Sequence, residues 1–178
     1  IGWNFIRQSN AGPGAARNSG IEWLADKGVR YVAFLDSDDE WRPDHLSNAV
    51  TALERGGDFY FSDHSRSGYY GSYFEEDENV SATLDSLRNS SADLVQSDTR
   101  FFFSSKINSA FIENYLAQTS TVVLRYKALG QARFDPELRH CGEDYMLWIE
   151  LMLKGVRACV SNEVEVFCGP GINLYHGS

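Results

Sequence analysis

The sequence is short of positive charge. Its 178 residues hold 16 lysines and arginines against 25 aspartates and glutamates, for a formal net charge of −9. A protein that follows a nucleic-acid backbone needs a basic face, and docking on anionic lipid needs one too. No nucleic-acid partner is therefore expected. One phosphate-bearing substrate is still compatible with this charge, because a bound cation offsets local acid. Cysteine is sparse as well. Cys141, Cys159 and Cys168 stand far apart with no C-x-x-C pair, which argues against a zinc or redox site and for reduced, buried thiols. No signal peptide is evident in the sequence, which starts at Ile1, and no apolar run is long enough to cross a bilayer. The expected location is cytoplasmic, or peripheral to the inner face of the membrane.

What is present is a regular alternation of elements. Residues 3–7 read as a short strand, 8–14 as a loop rich in Asn, Gly and Pro, and 15–27 as a helix stopped by Gly28. Residues 30–35 are mostly apolar and β-rich, as a strand buried on both faces would be. A second helix opens at Pro43 and Asp44 and ends at Gly56-Gly57, and residues 58–62 form the next strand. This order predicts an α/β layered domain. Residues 65–98 interrupt it with Gly, Ser, Tyr and acid, and read as a long excursion with some helix near 82–87. Residues 101–103 and 107–115 have no clear assignment. Residues 118–125 read as a strand. Residues 144–154 read as a helix burying Tyr145, Trp148, Ile149 and Met152, and 156–160 and 164–167 as two terminal strands.

Three stretches carry chemistry. Asp36-Ser37-Asp38-Asp39 puts three carboxylates in four residues at the end of an apolar strand. Their mutual repulsion is relieved by a hard divalent cation, which prefers oxygen ligands. The alternative is an acidic turn that caps the next helix. Asn10-Ala-Gly12-Pro-Gly14-Ala-Ala-Arg17 runs a glycine-rich loop into a helix start, which offers free amides to an anion. Arg17 could reach that anion or pair with the acidic run; an ordinary helix start with a surface arginine is the plainer reading. Gly142-Glu143-Asp144 opens an amphipathic helix, where acids complement the dipole or supply a general base. His176 lies on a polar tail and could swing onto a metal. Tyr69, Tyr70, Tyr73 and Phe74 read as a sugar-stacking platform or as the core of a loop.

Taken in order, five segments resemble the family 2 glycosyltransferases of the GT-A fold. They are residues 8–21, residues 31–46, Thr119-Ser-Thr-Val-Val-Leu-Arg125, Phe134-Asp-Pro-Glu-Leu138 and Gly142-Glu-Asp-Tyr-Met-Leu-Trp148. The resemblance implies one partial GT-A domain over 1–178, a Rossmann-like mixed sheet flanked by helices, with 65–115 as a variable acceptor-side excursion. It implies a metal-dependent, inverting transfer of sugar from a nucleotide-diphosphate sugar to an acceptor hydroxyl on a glycan or lipid-linked acceptor, in polysaccharide or cell-envelope glycan synthesis. By position, Asp36, Asp38, Asn10, Gly12 and Arg17 would line the nucleotide-sugar pocket. Asp38, Asp39 and His176 would hold Mn²⁺ or Mg²⁺. Asp144, with Glu143 beside it, would be the catalytic base. The family's opening strands have no match here, so a divided sheet, an unpaired strand edge and self-association through that edge are expected. A non-catalytic GT-A-like scaffold and a nucleotidyltransferase are the other readings.

Overall fold

The computed structural model describes residues 2–66, 71–89, 101–104, 107–139 and 141–170, with only the backbone of Phe101. Helix α1 (Pro13–Trp23) leads to strand β1 (Tyr31–Ala33), then the short β2 (Glu40–Trp41), helix α2 (His45–Glu54) and strand β3 (Phe59–Arg66). Helices α3 (Tyr73–Glu76) and α4 (Glu78–Asn89), strand β4 (Phe101–Phe103) and helix α5 (Ile107–Glu113) follow. A 3₁₀ turn (Thr119–Thr121) enters β5 (Val123–Arg125), and α6 (Tyr126–Leu129), α7 (Glu143–Leu153) and β6 (Ala158–Cys168) complete the order.

The strands form one mixed sheet in the order β1-β5-β3-β6-β2, with β4 antiparallel to the start of β6. Only β3 and β6 run parallel, and they form the centre. Phe59, Tyr60 and Phe61 of β3 are fully buried, as a central strand covered on both faces requires. Side chains alternate between two cores with the strand period of two. Phe59, Phe61, Leu124, Ala158 and Val160 face the larger core, which α4, α5 and α7 cover. Tyr60, Val123 and Cys159 face the smaller one, beneath Ala49, Ala52 and Leu53 of α2. At the heart of the larger core the Trp148 ring meets Phe59, Phe134 and Phe34 at centroid distances of 5.2, 5.7 and 5.9 Å.

Several expectations are corrected. The described strands make a single sheet, not a divided one, because β5 joins β1 directly to β3. Residues 3–7 are not a strand. No described strand lies beside them to complete a ladder, and Trp3 and Phe5 are exposed. The two terminal strands are one, β6. The polar residues between the two expected strands form a bulge: β3 steps from Ser62 to Asp63 while β6 steps from Ser161 to Val164. The buried face of α7 is Leu147, Trp148, Leu151 and Met152; Tyr145 and Ile149 are only half-buried. Within the excursion, α4 extends the expected helix in both directions, and its Val80, Leu84 and Leu87 are buried.

Candidate active site

The acidic run leaves β1 as a turn closed by the Asp39 amide donating to the Asp36 carbonyl at 3.1 Å. Three consecutive residues, Gln118 at the cap of the 3₁₀ turn and the first two residues of the turn itself, fasten its surroundings. Gln118 Nε2 donates to Asp39 Oδ2 at 3.1 Å, and the Asp36 amide donates to Ser120 Oγ at 2.9 Å. Between them, Thr119 Oγ1 donates to Asp144 Oδ2 at 2.8 Å. The end of β6 closes the turn from the other side: the Gly169 amide donates to Asp39 Oδ1 at 3.0 Å. A Cβ on Gly169 would stand 2.1 Å from the Asp38 carbonyl oxygen, so only glycine lets the chain pass there. Ser37 and Asp38 remain exposed.

Arg17 ties the acidic turn to α7. Its guanidinium donates from one nitrogen to Asp36 Oδ1 at 2.6 Å and from the other to Glu143 Oε1 at 2.7 Å. Burial works to lower the Arg17 pKa, but Asp36, and after it Glu143, raise it overall, so the residue is a fixed cation. Close packing makes the bridge reachable. A Cβ on Gly14 would lie 3.1 Å from Phe134 Cβ and 3.3 Å from Glu143 Cγ, so the start of α1 rests directly on the approach to α7. Asn18 locks the same contact by exchanging two hydrogen bonds with the Phe134 backbone, at 2.8 and 2.9 Å.

Asp144 sits in the first turn of α7 and is nearly enclosed. Its Oδ2 accepts from the Tyr115 hydroxyl at 2.5 Å as well as from Thr119, while Oδ1 accepts from the Tyr145 amide at 2.7 Å. Burial, and then the Asp144 charge, push the Tyr115 phenol well above its ordinary pKa.

Residues 1–75 match the family described as Glycosyl transferase family 2. Over these residues the chain belongs to this family. The succinoglycan biosynthesis protein ExoW of Rhizobium meliloti (strain 1021) is 31% identical over 175 residues, which cover 96% of this chain and 52% of ExoW. The UDP-Glc:alpha-D-GlcNAc-diphosphoundecaprenol beta-1,3-glucosyltransferase WfaP of Escherichia coli is 28% identical over 157 residues, 88% of this chain and 51% of WfaP. The chain thus spans about half the length of these curated relatives. Among solved structures, S. aureus TarS 1-349 superposes with a TM-score of 0.59 at 18% identity, over 92% of this chain and 42% of that one. That likeness concerns the fold: a mixed α/β sheet flanked by helices, matching the GT-A architecture of TarS over part of its length.

Within the chain, the residues singled out from sequence fall into groups. Arg17, Asp36 and Glu143 touch one another. Asp39 and Asp144 join them through Gln118 and Thr119. Gly12 caps α1 at φ 89°, and its amide donates to Asn10 Oδ1 at 3.1 Å; Asn10 is exposed. His176, like Tyr69 and Tyr70, lies outside the described residues. Phe74 belongs to the core, whereas the Tyr73 ring packs 4.6 Å from His64 and lies under the Arg66 guanidinium at 4.9 Å. Sequence reasoning missed Tyr115, Gln118, Ser120 and Gly169. Thr119 and Ser120 stood inside a quoted family segment, but their side chains were hidden by reading 118–125 as a continuous strand.

The family commonly uses a divalent metal. Among the described residues no three carboxylate, His or Cys side chains gather into a cage. The donor set nevertheless suits Mg²⁺ or Mn²⁺, which take one or two carboxylates and fill their remaining positions with substrate phosphate and water. Asp38 is exposed at the tip of the turn, and Asp39 is held in place by Gln118 and Gly169.

No helix among the described residues is long and apolar enough to cross a membrane.

Proposed function

We propose that this chain is the donor-binding and base-bearing domain of an inverting, metal-dependent glycosyltransferase. It takes a sugar from a nucleotide-diphosphate sugar and joins it to an acceptor hydroxyl on a glycan or lipid-linked acceptor. Polysaccharide or cell-envelope glycan assembly is the setting suggested by the names of ExoW and WfaP. The observation that carries the reading is the Arg17 bridge, which brings the acidic turn and the start of α7 into one site. Asp38 and Asp39 would hold the cation, which offsets the charge of the diphosphate leaving group. Asn10 and Gly12 flank the donor pocket on the same loop. Asp144 takes the proton of the acceptor hydroxyl. The base and the acidic turn then stand on opposite sides of the sugar, which favours a single displacement with inversion. Residues 65–115 are the proposed acceptor side of the domain.

Calorimetry with UDP, GDP, dTDP and CDP, each with and without Mn²⁺, tests the reading. One nucleotide is expected to bind only with Mn²⁺, and its binding is expected to vanish in an Asp38→Ala, Asp39→Ala double variant. Binding that ignores both the metal and the substitutions would overturn the metal assignment. Absence of binding by this chain and by a longer form of the protein would sink the glycosyltransferase reading.

A further inference from the structure

We infer that Tyr115 is the positioning residue of the base: together with Thr119 it occupies Asp144 Oδ2 and so assigns Oδ1 to receive the acceptor's proton. The inference rests on the proposed role of Asp144. Each oxygen of a carboxylate accepts about two hydrogen bonds. Asp144 Oδ2 already holds two, from the Tyr115 hydroxyl at 2.5 Å and Thr119 Oγ1 at 2.8 Å. Oδ1 holds one, from the Tyr145 amide at 2.7 Å, and keeps a lone pair for a further donor.

The supports of this arrangement come from both sides of the site. Thr119 lies between Gln118, bonded to Asp39, and Ser120, bonded to the Asp36 amide, so the orientation of Asp144 is coupled to the acidic turn. Tyr115 comes from the excursion. Its ring packs 5.7 Å from Tyr145, and its carbonyl accepts from the Tyr73 hydroxyl at 3.5 Å. The segment that faces the acceptor thus sets the rotamer of the base. In the reaction the acceptor O–H bond breaks and its proton goes to Asp144 Oδ1. The acceptor oxygen bonds to the anomeric carbon as the bond from that carbon to phosphate breaks. The bonding pair leaves with the nucleoside diphosphate. Tyr115 keeps its proton throughout and is not a catalytic residue.

The test uses ¹³Cζ-tyrosine NMR titration together with UDP release from UDP-glucose, water serving as acceptor. In Asp144→Asn the Tyr115 phenol should ionise at a lower pH than in the parent, because the neighbouring charge is gone. Tyr115→Phe should lower kcat about tenfold with little change in KM, as loss of a transition-state-only contribution does, and should move the acidic limb of the rate profile to higher pH. Thr119→Val should act in the same direction. An unchanged Tyr115 titration in Asp144→Asn overturns the pairing. An unchanged kcat and pH profile in Tyr115→Phe, where Asp144→Asn abolishes turnover, overturns the positioning role while leaving the base in place. If the titration shifts but Asp144→Asn keeps full turnover, the base assignment fails and this inference falls with it. If UDP-glucose is not turned over, the titration alone decides the pairing.

Discussion

Arg17 answers two carboxylates that lie on different elements, and the consequences of removing it differ for each. The Glu143 side chain keeps 9% of its exposure, whereas Asp36 keeps 35%. Removing the cation leaves Glu143 charged and enclosed, and breaking a buried pair by deleting one partner costs about 3–5 kcal/mol. Asp36 is screened by solvent and adds little. Arg17→Ala is therefore expected to lose about 3 kcal/mol in urea denaturation, at the low end of that range. Arg17→Lys should recover only part of it, because a single ammonium lacks the planar fork that reaches both acids. A loss under about 1 kcal/mol would mean that the bridge is solvated and contributes as a surface pair does. At this scale the acids and Arg17 were legible because charge clusters beside glycine-rich turns are local signals. Tyr115 and Gln118 were not. A tyrosine in an unassigned stretch, or a glutamine at the start of an expected strand, has no local mark, and its partner is fixed by pairing across the whole domain.

Strand β3 shows how an element departs from its local pattern. Sequence puts its end near Ser62, where apolar residues give way to Asp63, His64 and Ser65. The strand instead runs to Arg66, and all three polar residues are buried. Asp63 is accommodated because it accepts from the His64 amide at 2.7 Å and the Phe74 amide at 3.1 Å, and from the Ser72 hydroxyl. It thereby anchors α3 to the sheet. His64 has no such compensation: neither ring nitrogen has a hydrogen-bond partner among the described residues. Burial, and then the Arg66 charge, lower its pKa from 6.5 to about 3. Between those two values the unfolded chain binds a proton that the folded chain does not, so stability falls as pH falls through that window. The slope reaches up to about 1.4 kcal/mol per pH unit. Asp63, whose pKa burial raises above its ordinary 3.8, acts in the opposite sense just above that value. Comparison with His64→Leu separates the two. Urea midpoints measured from pH 7 to pH 4 are expected to drop more steeply in the parent than in the variant. Parallel curves would mean that His64 takes up its proton in the folded state.

For the molecule as a whole, the layer class follows from local alternation of helix and strand, but the order of strands does not. The joining of β1 to β3 through β5 depends on contacts between segments far apart in sequence, and no periodicity encodes it. That order leaves β1 at an edge. The Phe34 amide donates to the Val122 carbonyl, and the Tyr126 amide to the Arg30 carbonyl, so Arg30, Val32 and Phe34 direct their backbone groups at β5. Tyr31 and Ala33 therefore present theirs outward, as a template for another strand. Opposing this, each copy carries a net charge of −9, and two copies repel until salt screens them. Self-association through β1 is consequently expected to be weak at low ionic strength and to strengthen as salt is added. Sedimentation of the chain across a salt series measures it. Ala33→Pro removes an outward amide without taking a bond from the ladder to β5, and prolines are tolerated on that side of an edge strand. The variant should stay monomeric at every salt concentration while keeping its circular dichroism. A parent that is monomeric throughout, or a variant that associates as the parent does, would rule out pairing through this edge.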